Sequence, residues 1–271
     1  MIRFFAWLCL LVLAAPAQAA QCGGDFNAFL SAMAREAQAA GVSPAVISQA
    51  FAGVTQDAAV LAFDRRQHGT FTQSFEQYSS TRVSAARVSR GRQILAQQAA
   101  LLGRIERQFG VPAPILVAIW GLESDFGKGD IGKLPVVRVV ATMAHDCRRT
   151  ALFQGELIAA LMILQRGDLP LRDLIGAYAG EIGQTQFLPS SYIKYGVDYD
   201  GDGHVDLRHS VPDVLASTAN LLKTNGWKAG GDYHEGSPNF EAMREWNHAV
   251  LYRKTIGYFA DKADGAVRGT N

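Results

Sequence analysis

The apolar positions of this chain recur mostly at helical spacing, and the alternation typical of strands is scarce. The strand candidates are residues 136–140 and Val205. No internal repeat or low-complexity linker divides the 271 residues. The pattern therefore predicts a mainly α protein, with helices over residues 44–51, 83–109, 112–123, 150–165, 171–178, 189–195, 212–225 and 240–261.

Residues 1–20 have the pattern of a cleaved secretory signal. Arg3 gives a positive start, residues 4–15 form a short apolar run, and residues 17–19 fit a small-x-small cleavage site. The alternative is a membrane anchor, but the run is too short to span a bilayer comfortably. The net charge of +1 falls near zero without Arg3, so bulk charge gives no reason to expect a nucleic-acid partner.

Cysteine usage points to a disulfide. Cys9 leaves with the signal, so Cys22 and Cys147 remain as an even pair in an oxidising compartment. We expect a bond between them; the alternative is two buried thiols. Neither has histidine or cysteine neighbours at the spacing of a zinc site, so no zinc is predicted.

Glu123 stands near the end of the apolar segment 112–127. Burial raises the pKa of a carboxylic acid, and a proton-carrying acid near neutral pH is what cleavage of a glycosidic bond requires. The alternative is a surface residue at a helix C-terminus, which the helix dipole disfavours. Glu123 adjoins an inward apolar stripe at helical spacing, made of Ile115, Ala118, Ile119 and Leu122.

Asp125 offers a possible second carboxylate, as in glycosidases that use two acids. Two positions along a helix correspond to a rotation of roughly 200°, so the side chains of Glu123 and Asp125 would point in opposite directions on a continuous helix; the argument weakens if the helix ends at Glu123. We therefore interpret Asp125 as a structural residue at the helix end.

Three further segments carry polar, charged or aromatic groups. Residues 180–192 (GEIGQTQFLPSSY) interleave amides with aromatic rings, which suits sugars; the alternative is a polar turn before a helix. Arg148 and Arg149 are typical of a solvated face, or of a site for a carboxylate-bearing ligand. Residues 245–252 place Trp246 on one predicted helix face with Val250, as core or groove aromatics.

Residues 198–206 (DYDGDGHVD) match the first half of a calcium-binding loop. Carboxylates occupy positions 1, 3 and 5, and a glycine follows where the sharp turn is needed. Position 12 is His209 in place of glutamate, so Asp206 or Asp213 would supply the remaining carboxylate. The alternative is an Asx-rich turn without metal. Calcium here would be structural.

Three motifs, residues 119–127, 180–192 and 198–204, resemble in order and spacing those of lytic murein transglycosylases of the membrane-bound transglycosylase B type, glycoside hydrolase family 103. The resemblance runs from about residue 21 to the last helix. It implies a lysozyme-like (α+β) catalytic domain with an N-terminal helical lobe (about 21–110), a core (about 111–230), a C-terminal helix (about 240–262) and an EF-hand-like calcium loop.

The resemblance also implies site residues. Glu123 is the single catalytic acid, and no cofactor serves catalysis. The residues expected to bind substrate are Tyr78, Arg148, Arg149, Gln186, Phe187, Trp246, Asn247 and Tyr252. The expected calcium ligands are Asp198, Asp200, Asp202, the His204 carbonyl and Asp213. Three positions depart from the family pattern: Ala177 replaces a serine, Glu181 a small residue, and Leu221 an aromatic residue.

The implied reaction is cleavage between N-acetylmuramic acid (MurNAc) and N-acetylglucosamine (GlcNAc) of periplasmic peptidoglycan, with Glu123 acting first as acid and then as base to give a 1,6-anhydro sugar. One alternative is a lysozyme-type hydrolase that uses Asp125 or Glu181 as second acid. Another is a non-catalytic, calcium-dependent glycan-binding protein. The expected partners of this monomer are glycan strands, with cell-wall synthesis or division proteins as further candidates.

Overall fold

The computed structural model describes residues 20–66 and 73–265, so the predicted signal lies outside the described residues except for Ala20. The described chain is mainly helical, as predicted. Short 3₁₀ turns at Leu171–Asp173 and Met243–Glu245 interrupt it. The longer elements are α1 (Phe26–Ala39), α2 (Pro44–Phe51), α3 (Ala58–Arg65), α4 (Phe75–Arg82), α5 (Ala85–Gln97), α6 (Ala99–Phe109), α7 (Ala113–Ser124), β1 (Leu134–Pro135), α8 (Val136–His145), α9 (Thr150–Arg166), β2 (Ile175–Gly176), α10 (Pro189–Tyr195), α11 (Val211–Thr224), α12 (Pro238–Ala242) and α13 (Val250–Asp264).

Helix α7 is the central element of the core. Every residue from Ile115 to Gly121 is buried, and α5, α6, α11 and α13 pack around it. The sequence predicted an apolar stripe on one face, but a helix that is apolar on all sides requires partners on all sides. The central position of α7 brings its last turn, which carries Glu123, into contact with distant segments of the chain.

The predicted helix over residues 83–109 is wrong as a single element. It divides at Gln98, whose ψ of 15° departs from helical geometry, into α5 and α6. The break has a packing reason, because α5 lies against α7 and α13 whereas α6 lies against α7 and α11.

The predicted helix over residues 240–261 also divides. Trp246 ends a 3₁₀ turn and α13 begins only at Val250, so these two side chains do not share a helix face as predicted. The Asn247 side chain accepts a hydrogen bond from the Ala249 N–H at 2.9 Å, a local bond that competes with helix formation. The resulting loop frees Trp246 from the helix.

The strand predictions fail as well. Residues 136–140 belong to α8, where their valines pack against neighbouring helices, and Val205 lies in no strand. Residues 171–178 form a 3₁₀ turn and β2 rather than a helix. Strand β2 pairs antiparallel with β1, with Leu134 opposite Gly176 and Pro135 opposite Ile175. Tertiary contacts here outweigh the intrinsic preference of β-branched residues for strands.

The predicted disulfide between Cys22 and Cys147 is confirmed, with 5.1 Å between the two Cα atoms. It ties the chain before α1 to the connection between α8 and α9. The division into a helical lobe, a core and a C-terminal helix stays a prediction, and α5 and α6 of the predicted lobe pack directly on α7 of the predicted core.

Candidate active site

Glu123 occupies the last turn of α7, just before the chain reverses. Asp125 caps the helix in the left-handed conformation with φ 49°, and Phe126 continues it with φ 62°. Gly121 permits this reversal, because a Cβ there would lie 2.8 Å from the Phe126 ring and 2.8 Å from Phe259. The acid is thereby held on a rigid helix end at the border of the core.

Two side chains from the C-terminal segment bind the Glu123 carboxyl group. Tyr252 donates its hydroxyl to Oε1 at 2.5 Å, and Trp246 donates Nε1 to the same oxygen at 3.1 Å. Both donors are uncharged, so they orient the carboxyl group without supplying a positive charge. Because both contact Oε1, the other oxygen, Oε2, is the better placed to exchange a proton with a ligand.

Burial raises the pKa of Glu123, and the negative charge of Glu181 raises it further. The hydrogen bonds from Tyr252 and Trp246 act in the opposite direction, but burial is the larger effect. Glu123 therefore keeps its proton to a higher pH than an ordinary glutamic acid.

Tyr78 and Tyr252 both lie within electrostatic reach of Glu123. Burial raises the pKa of both, and the Glu123 charge adds to the effect at each ring. The Arg82 guanidinium lies 3.7 Å from the centre of the Tyr78 ring. The tyrosine predicted upstream of the catalytic acid therefore lies in the same electrostatic cluster.

The second motif closes the other side of the site. Ile182 bridges Gly176 and Phe187 in a short antiparallel arrangement, and the Phe187 ring meets Trp246 edge to face at 5.5 Å between centres. The Gln186 side chain donates to the Gly183 carbonyl at 2.7 Å. These contacts fix the amide and the aromatic ring predicted to contact sugar.

Gln184 is a site-building residue that the sequence reasoning missed. Its Oε1 accepts a hydrogen bond from Trp120 Nε1 at 2.8 Å, and its Nε2 donates to the Arg208 carbonyl at 2.8 Å. Gly127 allows this approach, because a Cβ there would lie 2.3 Å from Gln184 Oε1. The buried amide of Gln184 thus connects the first motif to the second. The one sign of this contact in the sequence is Gly127, four positions after Glu123.

A groove with a volume of about 420 Å³ opens beside Glu123. Six of the predicted site residues line it: Glu123, Arg149, Gln186, Phe187, Trp246 and Asn247. Tyr252 reaches the site through its bond to Glu123. The walls also include Leu152 and Phe153, which the sequence did not single out, and Leu188, Ser191 and Glu245 from the polar and aromatic segments 180–192 and 245–252.

The arginine pair is held by Asp64 of α3, which sequence reasoning also missed. Arg148 Nη1 lies 2.9 Å from Asp64 Oδ2, and Arg149 Nη2 binds Asp64 Oδ1. Arg149 lines the groove, whereas Arg148 is not among its lining residues. No local signal marks Asp64, because its partners lie more than eighty positions further along the chain.

The three departures from the family pattern all lie at or beside the groove. Glu181 and Leu221 line it, and Ala177 lines the neighbouring cavity. Glu181 accepts a hydrogen bond from the Ala179 N–H at 2.9 Å, which fixes its carboxylate within its own loop.

Asp125 is engaged away from the reaction. Its two oxygens receive Arg87 Nε at 3.2 Å and Arg90 Nη1 at 2.6 Å, both from α5. Asp125 lies beyond the last residue of α7, so the rotation argument does not apply to it, but its two ion pairs agree with the interpretation as a residue of the helix end.

The predicted calcium loop brings its first three carboxylates together. Ligand oxygens of Asp198, Asp200 and Asp202 lie within 4.8 Å of one another, on exposed side chains. Asp213 lies beneath them, 1% exposed, and accepts the N–H groups of Tyr199 and Asp206, each at 2.8 Å. Asp213 thus joins the two ends of the loop through backbone groups, outside the three-carboxylate cluster.

Comparison with known proteins assigns the chain to a family. Residues 25–236, more than half of the chain, match the family described as the transglycosylase SLT domain. The chain therefore belongs to this family, and the resemblance noted from the motifs is confirmed.

Three relatives show what the chain is similar to. It is 40% identical over 131 residues to membrane-bound lytic murein transglycosylase B of Escherichia coli (strain K12), covering 48% of this chain and 36% of that protein. The chain thus aligns with about a third of that relative's length. The crystal structure of SltB3 from Pseudomonas aeruginosa with NAG-NAM-pentapeptide shares 33% identity and a TM-score of 0.83, covering 91% of this chain and 81% of that one.

SltB3 with NAG-anhNAM-pentapeptide gives 32% identity and a TM-score of 0.82, covering 90% of this chain and 80% of that one. Slt35 of Escherichia coli in complex with calcium gives 23% identity and a TM-score of 0.77, covering 93% of this chain and 99% of that one, a likeness of fold. Within residues 20–66 and 73–265 no helix combines the length and apolar character needed to cross a bilayer.

Proposed function

We propose that the protein is a lytic transglycosylase, which cleaves the β-1,4 bond between MurNAc and GlcNAc of peptidoglycan and leaves a 1,6-anhydro-MurNAc end. The observation that carries the proposal is the state of Glu123, an acid of raised pKa held by two neutral donors in an amide- and aromatic-lined groove. The capture of NAG-NAM- and NAG-anhNAM-pentapeptides by SltB3 supports it.

In this mechanism Glu123 acts twice. The neutral acid protonates the oxygen that leaves C1 of MurNAc, and the C1–O bond breaks. The resulting carboxylate then accepts the proton of the C6 hydroxyl, whose oxygen forms the new bond to C1. Glu123 regains its proton, and no water is consumed. The alternation of acid and base requires one residue whose pKa lies near the working pH.

The groove residues position the sugars around this acid. Trp246 provides a ring surface beside the buried Phe187, and Asn247 and Arg149 provide donors for hydroxyl, N-acetyl and carboxylate groups. The N–H groups of the Gln186 amide are donated to backbone carbonyls, so Gln186 provides its Oε1 as an acceptor. Tyr252 and Trp246 hold Glu123 Oε1 in both protonation states. Ala177 and Leu221 remove one polar and one stacking contact that the family resemblance led us to expect.

A hydrolase would need a second carboxylate to activate water. Of the two candidates, Asp125 is bound by two arginines and is not among the residues that line the groove, whereas Glu181 lines it.

Mass spectrometry of the products from purified peptidoglycan, with wild type and Glu123→Gln measured side by side, tests the proposal. We expect anhydro products from the wild type and about 10²- to 10⁴-fold slower formation of them by the variant. Reducing-end products, undiminished turnover in Glu123→Gln, or wild-type binding without cleavage would each refute it.

We propose that the acidic loop binds structural calcium. The clustered carboxylates of Asp198, Asp200 and Asp202 are the hard oxygen ligands that Ca²⁺ prefers, and the His204 carbonyl is the expected backbone ligand. Bound calcium would neutralise the mutual repulsion of the three acids. Asp213 supports the same loop from below, and serves as a ligand only if its N–H bonds rearrange.

We further infer export to the periplasm after cleavage of residues 1–20. The Cys22–Cys147 disulfide supports this, since such bonds persist in oxidising compartments. Mass spectrometry of the exported protein tests the inference, with a mature N-terminus after residue 19 or 20 as the expected result. We also propose that the protein is a monomer and that it binds cell-wall synthesis or division proteins.

A further inference from the structure

We propose that Asp64 is a positioning residue, which holds the Arg149 guanidinium at the wall of the groove for an anionic group of the substrate. The inference rests on the proposed function and deepens it, because it gives a role in substrate recognition to a residue of α3 outside the three motifs. Asp64 is not among the residues that line the groove, and it acts through Arg149.

The Asp64 carboxylate is buried against two guanidinium groups. Its side chain is 9% exposed, its Oδ2 lies 2.9 Å from Arg148 Nη1, and its Oδ1 binds Arg149 Nη2. A carboxylate that is removed from water requires charged or hydrogen-bonding partners in place of its solvation. The two arginines supply these partners, so the burial of Asp64 constrains where the Arg149 guanidinium can lie.

Arg149 is held on two sides and keeps N–H groups for a ligand. Its guanidinium carbon lies 4.9 Å from the centre of the Phe153 ring, and Phe153 also lines the groove. Within residues 20–66 and 73–265, Asp64 is the one carboxylate at ion-pair distance from Arg149, and it engages only Nη2. Because Arg148 and Arg149 share a single carboxylate, the three side chains carry one net positive charge. A fixed guanidinium with remaining N–H groups suits a carboxylate.

The connection between α8 and α9, to which Arg149 belongs, is itself fixed. Asp146 forms an ion pair with the last residue of α3 at 2.5 Å, and Cys147 is bonded to Cys22. Cys147 has a φ of 64°, a conformation that residues other than glycine keep only where surrounding contacts hold it. The main chain beside Arg149 is therefore held by α3 and by the segment before α1, and Asp64 extends this support to the side chain.

The opposite role for Asp64 is that of a competitor, which would occupy Arg149 in place of a substrate carboxylate. The geometry favours positioning, because Asp64 contacts one terminal nitrogen and leaves another edge of the planar guanidinium for a ligand. The two roles predict opposite effects. Loss of the Asp64 charge weakens the binding of an anionic ligand if Asp64 positions Arg149, and strengthens it if Asp64 competes.

The test measures binding in the Glu123→Gln background, where cleavage is slow. Calorimetric titration compares a neutral tetrasaccharide of GlcNAc with an anionic tetrasaccharide of alternating GlcNAc and MurNAc, whose lactyl groups are free carboxylates. For Asp64→Asn we expect the Kd of the anionic ligand to rise about threefold to tenfold, because Arg149 must then be immobilised during binding. The Kd of the neutral ligand should stay unchanged. Asp64→Glu, which keeps the charge in the fold but displaces the carboxylate, should also raise the anionic Kd.

A double-mutant cycle separates positioning from a general loss of structure. In an Arg149→Ala background, Asp64→Asn should no longer change the Kd of the anionic ligand, because the side chain that it positions is absent. Asp57→Asn is the matched control. It removes the ion pair with Arg138 at the other end of α3, keeps a side chain that can cap the helix, and should bind both ligands as the parent does.

Four results would overturn the proposal: tighter anionic binding by Asp64→Asn, an equal loss with both ligands, no loss with either, or a loss that persists in Arg149→Ala. Each is distinct from a failure of the proposed function, which depends on the turnover of Glu123→Gln and on the reaction products. A Glu123→Gln parent that binds neither tetrasaccharide would overturn both.

Discussion

Two groups of carboxylates in this protein contrast in their surroundings. At the end of α7 a single acid, Glu123, is enclosed by the core and receives hydrogen bonds from two neutral side chains. In the acidic loop (residues 198–213), Asp198, Asp200 and Asp202 are exposed and crowded together. Enclosure favours a proton on the carboxyl group, whereas crowding in water favours a bound cation. Position in the fold, rather than residue type, separates the acid that we propose for proton transfer from the acids that we propose to bind a metal.

The largest expected effect comes from Glu123→Gln. Loss of the acid should lower kcat by about 10²- to 10⁴-fold. It should also stabilise the protein at neutral pH, because the native pKa of Glu123 lies above its unfolded value. Between these two values the native state binds more protons, so the stability of the wild type falls as pH rises through this window.

Thermal unfolding across pH checks this prediction. The stability difference between Glu123→Gln and wild type should be small in acid and grow towards neutral pH. A difference that is constant with pH would contradict the raised pKa.

The acidic loop should respond in the opposite sense, by losing stability when its cation is removed. Calcium at about one hundred times its Kd would add about 2.7 kcal/mol to the free energy of unfolding, or about 5–10 °C in Tm. Calorimetry with calcium and with a chelator measures the difference. Asp200→Ala should abolish the response, whereas Asp264→Asn, an exposed acid on α13, should keep it. An equal Tm with and without calcium would argue for an Asx-rich turn.

Tyr252→Phe sharpens the electrostatic account of Glu123. Loss of a hydrogen bond to a charged group should lower kcat by about tenfold to a hundredfold. Because the Tyr252 bond lowers the pKa of Glu123, its removal should move the alkaline limb of the pH–rate profile to higher pH. An unmoved limb would mean that another group titrates.

Glu181→Gln should give a smaller shift of opposite sign. The charge of Glu181 raises the pKa of Glu123, so an uncharged side chain should move the alkaline limb to lower pH. Measurement of the pH–rate profiles of Tyr252→Phe and Glu181→Gln under one set of conditions checks this prediction. If the alkaline limbs of both pH–rate profiles moved in the same direction, Glu181 would act through structure rather than through its charge.

Local signals in the sequence predicted much of this arrangement. The helix predicted over residues 44–51 is α2, which the Ser43 side chain caps, and the bond predicted between Cys22 and Cys147 is present. The exposed acids of the loop also cluster as their spacing predicted. Each of these features depends on neighbouring residues or on simple pairing.

Contacts between distant segments could not be predicted in this way. The bond from Tyr252 to Glu123 joins residues 129 positions apart, and it exists because α13 packs along α7. The capture of Arg149 by Asp64 spans 85 positions. The break before α13, where the Asn247 side chain bonds the Ala249 N–H, also leaves Trp246 in reach of Glu123, 123 positions away. Residue types thus identified the acid, but only the fold showed what holds it.

The central claim is that Glu123 serves as both acid and base, so that no water enters the product. Cleavage of purified glycan strands in water labelled with oxygen-18, followed by mass spectrometry of the new ends, tests it most directly. The account predicts 1,6-anhydro ends that carry no label. Reducing ends that carry one labelled oxygen would contradict it, and would assign Glu181 the role of a base for water.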